Sequence, residues 1–226
     1  MSNIRDIRVF KSEKVNSEGV FVTESFSNKK LNVITSRIAM KLNGENFSLG
    51  DFNHLYINFT TCLNEGEIKL SKRKIIREFS WQRYYDVGVT KEVYNHLDSG
   101  EYNELLLSFI EKTLLQYFAP DEETELKIKR NVAIVLEEGE KTLIFYKEKQ
   151  AAKTKAVIYL RYLDNAHFYP LLCVYDNEGY EIFRHDFPEN RETLNLGEIL
   201  LSSKKVTVKP KKNYFARELE SVTFEF

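Results

Sequence analysis

Residues that cross-link or interrupt a chain are scarce in this sequence. Its 226 residues include two cysteines, four prolines and nine glycines. Cys62 and Cys173 stand in no CxxC or Cys/His spacing, which excludes the common zinc motifs, so we expect two buried free thiols and no metal. The scarcity of proline and glycine argues against a long linker and favours a single domain over residues 1–226.

Long apolar segments are lacking as well. Runs such as residues 132–136, "VAIVL", are far too short to cross a bilayer. The first residues, "MSNIRDIRVFKSEK", are charged where a signal peptide is apolar. We therefore expect a soluble protein of the cytoplasm with no membrane partner.

The short motifs of common enzymes are missing. None of GxGxxG, GxxxxGK[ST], HExxH and GxSxG is present, so the usual indications of nucleotide, metal and acyl chemistry are absent. His185 and Asp186 are adjacent on a predicted strand and point to opposite faces, which prevents them from acting as an acid/base pair. We expect no cofactor and a protein that is not an enzyme.

Charge is balanced in total but unevenly distributed. The net charge is −1, yet residues 91–140 hold twelve Asp or Glu against five Lys or Arg, a local balance of −7. Residues 203–217 hold six basic residues and no acidic one. Lysines beside Tyr214 and Phe215 are typical of nucleic-acid binding, but the pI near 6.5 and the use of lysine to protect edge strands favour no nucleic-acid partner.

Most of the first ninety residues show β-type patterns. Short runs of β-branched and aromatic residues alternate with polar turns and predict strands at "GVFVTESF", "LNVITSRIAMKL", "FNHLYINFTT", "GEIKLS" and "WQRYYDVGV". From Thr142 onward the pattern returns in "TLIFYKEK", "KAVIYLRYL", "HFYPLLCVYD" and "YEIFRHDF", and "KVTVKP" and "SVTFEF" are expected to add edge strands. "NEG" predicts a hairpin turn between two of these strands.

The middle of the chain changes to helical spacing. Thr90 is a predicted N-cap, and apolar residues over 101–118 recur at the helical period. Asp121 is expected to cap a second helix that stops at Gly139, although two strands over 121–138 are an alternative. The chain is therefore predicted to be α+β, with antiparallel sheets and a central helical segment packed on them. Subdomains at 1–90, 91–140 and 141–226 are the alternative to one domain.

One strand carries an ordered polar row. In "FNHLYINFTT" the apolar residues Leu55, Ile57 and Phe59 alternate with polar ones, and antiparallel sheets commonly leave one face to solvent. Aromatic residues on a neighbouring strand would complete a surface suited to stacking. The alternative functional hypothesis is therefore an enzyme or small-ligand site formed by His54, Tyr56, Asn58, Trp81 and Tyr84.

The first long helix presents acidic residues on the face opposite its apolar arc. Glu104, Ser108 and Glu111 share this sector with Leu115, an arrangement typical of a protein interface with a desolvated centre and a charged rim. Asp121, Glu122 and Glu123 open the next helix. We expect these acidic residues and Leu115 to contact a protein partner.

The order of these patterns resembles a known class. "FNHLYINFT", then "GEI", "WQRYYDVGV", an amphipathic helix pair and an antiparallel meander are similar to bacterial immunity proteins of polymorphic toxin systems, over residues 33–185. The resemblance rests on no diagnostic motif and carries over no binding residue. It implies an intracellular α+β protein that binds and neutralises a cognate toxin. The acidic helices then favour a basic toxin domain as the partner.

Overall fold

A computed structural model describes residues 2–16, 19–21, 26–73, 77–188 and 195–226. The chain divides into two compact units, Met1–Gly139 and Glu140–Phe226. The helices are α1 (Lys29–Gly44), α2 (Lys91–Asn95), α3 (Asn103–Phe118) and α4 (Glu122–Glu138). The strands of the first unit are β1 (Asp6–Ser12), β2 (Lys14–Asn16), β3 (Gly19–Phe21), β4 (His54–Thr60), β5 (Ile68–Leu70) and β6 (Gln82–Gly88). The second unit contains β7 (Ile144–Gln150), β8 (Thr154–Tyr162), β9 (Phe168–Asp176), β10 (Glu181–Asp186), β11 (Leu196–Leu201), β12 (Lys205–Pro210) and β13 (Val222–Glu225).

The main sheet of the first unit is mixed. Its strand order is β1-β4-β6-β5, and β4 pairs in parallel with both β1 and β6, while β5 is antiparallel to β6. The α+β class is confirmed, but this sheet is not the antiparallel meander that we expected. Parallel neighbours need a crossover connection, and between β1 and β4 the helix α1 belongs to that crossover.

Helix α1 corrects the prediction of a strand at "LNVITSRIAMKL". Val33, Ile34 and Thr35 are β-branched and favour a strand locally. The buried positions Leu31, Ile38 and Leu42 nevertheless follow the helical period. Burial against the sheet outweighs the local preference of the β-branched residues, and Asn28 caps the helix by accepting a hydrogen bond from the Leu31 backbone at 3.0 Å.

The other three helices begin and end where their sequence signals indicate. Thr90 caps α2 and Asp121 caps α4, each by accepting a hydrogen bond from the backbone N–H three residues later. The predicted helix over 101–118 corresponds to α3, and the alternative of two strands over 121–138 is wrong. The strands at "FNHLYINFTT", "GEIKLS" and "WQRYYDVGV" are confirmed as β4, β5 and β6. For "GVFVTESF", β3 covers Gly19–Phe21 and residues 22–25 lie outside the described residues.

The helices and one face of the sheet form a continuous apolar core. Leu55, Ile57 and Phe59 of β4 are fully buried in it, together with Ile110 and Leu114 of α3.

Cys62 is only half-buried, so the expectation of two buried thiols holds for Cys173 alone; both thiols are free.

The second unit consists of two antiparallel sheets. Strands β7 to β10 form a meander in the order β10-β9-β8-β7, and the other sheet has the order β11-β12-β13. Ala156, Ile158 and Leu172 from the first sheet pack with Val206 and Val208 from the second. The predicted "NEG" turn joins β9 to β10, and β12 is the central strand of its sheet rather than the expected edge strand.

We predict that Gly88→Ala destabilises the first unit by about 3 kcal/mol, because a Cβ at this position would lie 1.8 Å from the Asn64 carbonyl oxygen and force the backbone apart. Urea unfolding followed by the fluorescence of Trp81, the one tryptophan, measures the loss. The control is Gly50→Ala, where a Cβ meets no atom within 4 Å and only the φ of +98° is unfavourable. That change should cost about 1 kcal/mol, and equal losses at the two sites would show that the Asn64 contact does not govern the effect.

Candidate functional site

A groove between α1, α3 and α4 carries two of the predicted partner residues. It encloses about 500 Å³. Its lining comes from all three helices and consists of Lys30, Ile34, Asn103, Glu104, Leu107, Ser108, Glu111, Val132 and Leu136. Two predicted residues, Glu104 and Glu111, therefore lie on one groove together with four apolar side chains.

Leu136 supplies the exposed apolar surface of the groove. Its side chain is 51% exposed, whereas Leu107 and Val132 beside it are 6% and 3% exposed and belong to the core. Exposed leucines are ordinary when single, but this one adjoins a concave surface in which apolar side chains continue into the core. The groove thus offers a partner both an apolar floor and an accessible apolar rim.

The structure places Leu115 elsewhere than expected. It is half-buried and packs against the apolar core rather than lining the groove. The helical spacing of α3 alone places Leu115 in the same sector as Glu104 and Glu111. Which part of that sector is covered depends on the helices packed beside α3. Direct contact of Leu115 with a partner stays a prediction, and Leu136 takes over the position of exposed apolar centre.

The remaining acidic residues form a separate group. Asp121 is the N-cap of α4, where it accepts a hydrogen bond from the Thr124 backbone at 2.8 Å, and hydrogen bonds from Thr124 lower the Asp121 pKa. Glu122 and Glu123 are exposed in the first turn. Leu136 lies fourteen residues after Glu122, which is about 20 Å along the axis of α4. These three carboxylates can attract a partner but do not line the groove.

Charge on the groove is mixed but mainly acidic. Glu104 and Glu111 are not among the carboxylates that form ion pairs with described residues, in contrast to Glu125, which pairs with Lys129. Lys30 of α1 provides one cation to the lining. Glu104 is exposed and Glu111 half-buried, with the Glu111 charge also acting on Lys129. With two carboxylates and one lysine in its lining, the groove presents a small surplus of negative charge beside apolar surface.

The five residues of the alternative site lie together on the second face of the sheet. The register sets Arg8, Tyr56 and Tyr84 side by side on β1, β4 and β6. The rings of Tyr56 and Tyr84 are 5.1 Å apart between centroids, and His54 and Trp81 are 4.4 Å apart. This aromatic cluster was predicted from alternation, although its arginine was not.

Asn58 occupies the next register row and binds a buried carboxylate. Its Nδ2 donates a hydrogen bond to Asp86 Oδ1 at 2.9 Å, and the two residues are 0% and 4% exposed. Burial raises the Asp86 pKa above its ordinary value, although hydrogen bonds from Asn58 and Ser71 and the charge of Arg73 act in the opposite direction. Arg73 also lies over the Tyr84 ring, with 4.6 Å from its guanidinium carbon to the centroid.

Burial decides what the polar row can do. Tyr56, Asn58 and Thr60 are at most 3% exposed, so this row is not the solvated face that its alternation implied. Phe10 packs on both tyrosines, at 5.2 Å from Tyr56 and 5.7 Å from Tyr84 between ring centroids. A ligand could reach Tyr56 and Asn58 only by displacing side chains, so the arrangement acts as a second, partly polar core.

Sequence reasoning missed Ile34 and Leu136 of the groove and Asp86 of the sheet. Ile34 was assigned to a strand, which removed α1 from consideration. Leu136 sits in an apolar run whose exposed side depends on where α1 and α3 pack. Asp86 is in "WQRYYDVGV", where a charged residue inside a strand was a signal that a buried partner exists.

His185 and Asp186 do not form an acid/base pair. His185 stacks on Phe224, at 4.2 Å between ring centroids, and Asp186 pairs with Arg161, so the two neighbours act on opposite faces as expected. Over the described ranges no cluster of three or more His, Cys, Asp or Glu side chains is placed to hold a metal ion. Among the helices of that part of the chain, none is long and apolar enough for a membrane span.

Comparisons with family models, with curated proteins and with solved structures found no match to this chain. Its function is therefore argued from the geometry of its own residues.

We predict that Leu115→Ala lowers the free energy of unfolding by about 1 to 2 kcal/mol, because the side chain packs against the core. Leu136→Ala is the matched change on the groove and should cost less than about 0.5 kcal/mol, because half of the side chain is already exposed at 51%. Urea unfolding of both variants measures the difference. A larger loss for Leu136 would show that this residue is part of the core and not of a docking surface.

A second prediction concerns Asp86→Asn. Because burial raises the pKa of Asp86 in the folded state, its contribution to stability is fully present below the unfolded pKa, near 3.9, and is lost as the pH rises through the folded pKa. Asparagine carries no charge at any pH and therefore removes this pH-dependent loss of stability. Its amide can also donate a hydrogen bond to Asn58 Oδ1, which accepts none from the described residues.

The variant should therefore be more stable than the original chain at pH 7, and its advantage should shrink as the pH falls toward 4. Urea unfolding followed by Trp81 fluorescence across this range is the measurement. A variant that is less stable at pH 7 by about 1 kcal/mol or more would show that Arg73 and the hydrogen bonds dominate over burial.

Proposed function

We propose that this protein is a non-enzymatic binding protein whose partner is another protein, and that the groove between α1, α3 and α4 is its docking surface. The more specific form of the proposal is an immunity protein that neutralises a cognate toxin, as the sequence resemblance implies. One observation carries the proposal: Glu104 and Glu111 border a concave surface that also contains the exposed side chain of Leu136.

The shape of the groove favours a helical or ridge-like element of the partner. Three helices contribute to one concave surface with an apolar floor, and amphipathic helices bind such grooves through apolar side chains spaced along one face. Leu136 and Ile34 would contact that apolar face, while Glu104 and Glu111 would meet basic residues beside it.

Charge favours a basic partner. Residues 91–140 have a balance of −7, from twelve acidic and five basic residues, and these include the exposed carboxylates of Glu122 and Glu123 outside the groove. A field of this extent raises the rate of encounter with a basic protein, whereas the apolar contact mainly determines how slowly the complex dissociates. A toxin that acts on nucleic acid would present such a basic surface.

The alternative proposal, a small-ligand site at His54, Tyr56, Asn58, Trp81 and Tyr84, has less support. Tyr56 and Asn58 are 3% and 0% exposed, and aromatic neighbours already occupy the space above them. Trp81, at 38% exposed, is the accessible edge of this cluster.

The test pairs the chain with the toxic domain of a large multidomain protein encoded beside it. Co-expression should restore growth of cells that produce the toxic domain, and the purified proteins should form a complex. Glu104→Lys with Glu111→Lys should lower the association rate about tenfold at low salt and weaken its salt dependence, since salt screens exposed charges over roughly 8 to 10 Å. Leu136→Ala should instead raise the dissociation rate about tenfold.

Glu65→Lys with Glu78→Lys is the matched control, because both residues are exposed, produce the same change of charge and do not line the groove. Its association rate should fall less than that of the groove variant. Equal effects of the two charge reversals would leave general charge as the explanation and remove the groove from the proposal. Failure of the toxic domain to bind, or lack of any such neighbouring gene, would contradict the immunity function.

A further inference from the structure

A basic cleft in the second unit is independent of the groove. The chain that follows β12 surrounds an open cleft of about 630 Å³. Four of its ten lining residues are cationic and none is acidic; the cations are Lys209, Lys211, Lys212 and Arg217. Four of the six basic residues in the run noted in the sequence thus line one concave surface.

The cleft is held by a defined local structure. Asn213 caps the short turn Tyr214–Ala216, accepting a hydrogen bond from the Ala216 backbone at 2.9 Å. Its Nδ2 donates to Asn195 Oδ1 at 3.2 Å, and Ala216 is 1% exposed. The turn is therefore anchored, and it presents Tyr214 with 70% of its surface exposed.

Edge protection does not explain these lysines. Strand β12 lies between β11 and β13, so Lys209 belongs to a central strand, and Lys211 and Lys212 follow the end of that strand. The explanation offered from the sequence, that lysines block pairing at a sheet edge, is therefore wrong here. Another reason is needed for a concentration of cations at this place.

Internal carboxylates compensate only part of the charge. Lys209 pairs with Glu198 at 3.1 Å, and Arg217 approaches Glu218 at 3.6 Å. Lys211 and Lys147 both lie against the ring of Tyr146, with their Nζ atoms 5.9 and 5.6 Å from its centroid. Burial and the positive charge of Lys211 both lower the pKa of Lys147. Four cationic residues on one cleft, two of them paired with a carboxylate, leave a surplus of positive charge that favours an anionic ligand.

The aromatic residue narrows the class of ligand. The Arg217 guanidinium carbon lies 4.4 Å from the Tyr214 ring centroid, so an exposed aromatic ring and an arginine lie together in a cleft that three lysines also line. Unpaired bases stack on such platforms while lysines follow the phosphates, whereas the bases of a duplex are already stacked and offer no free face. The whole-chain pI near 6.5 does not oppose this, because the acidic surplus is concentrated in residues 91–140.

We propose that this cleft binds single-stranded nucleic acid, with phosphates contacting Lys211, Lys212 and Arg217 and a base stacking on Tyr214. This binding is a further function, and it departs from the expectation of no nucleic-acid partner. It involves none of the groove residues, so it stands or fails separately from the proposed protein binding.

Fluorescence anisotropy with labelled single-stranded DNA and RNA of about 12 nucleotides tests the proposal on the full chain. Affinity should fall as salt rises. Lys211→Glu with Lys212→Glu should weaken binding at low salt by about a hundredfold and reduce the slope of log affinity against log salt by about 1.4, since each phosphate contact on a single strand contributes about 0.7. Tyr214→Ala should weaken binding about tenfold and leave this slope unchanged.

Lys149→Glu with Lys153→Glu is the matched control, because both are exposed lysines of the same unit outside the cleft. It should retain nearly full affinity, and circular dichroism should show all variants folded. The proposal is overturned if no strand binds at low salt, if the control loses as much affinity as the cleft variant, or if Tyr214→Ala has no effect. Equal competition by a polyglutamate peptide would overturn it in favour of an acidic protein ligand.

Discussion

Parallel pairing of β4 with strands on both sides is the constraint on which the first unit depends. Parallel neighbours cannot be joined by a tight turn, so the chain must leave the sheet between β1 and β4, and α1 lies in that excursion. With α3 and α4 packed on the same core, three helices share one face of a narrow sheet. The groove lies where the three helices meet. On the opposite face of the sheet, aromatic side chains of the strands pack on one another and cover it.

Much of this fold follows from signals that act within a few residues. Thr90, Asp121 and Gly139 mark helix ends because capping is local, and the strands β4 to β10, β12 and β13 show alternation or turn residues. The strand β11 was not predicted. Helix α1 could not be predicted this way, because its β-branched residues favour a strand and only burial against β1 selects the helix. The parallel sheet was missed with it, since the crossover was read as part of a meander.

In the candidate sites, too, local sequence patterns identified some residues, whereas contacts between elements could not be predicted. Glu104 and Glu111 were found because a carboxylate sector on one helix is visible in the sequence, and the aromatic row of β4 was found from its alternation. Leu115 was predicted to be exposed and Leu136 was not considered, because the exposure of each depends on neighbouring helices. The bond between Asn58 and Asp86 spans two strands and requires the register, which no local pattern contains.

The central claim is that a protein partner occupies the groove between α1, α3 and α4. Amide hydrogen exchange of the chain, measured alone and in complex with the toxic domain encoded beside it, tests this claim directly. The account predicts slower exchange in the complex for peptides that contain Ile34, residues 104–111 and residues 132–136, which line or adjoin the groove. A complex in which these peptides exchange at unchanged rates while the sheet face around Trp81 or the second unit becomes protected would contradict it.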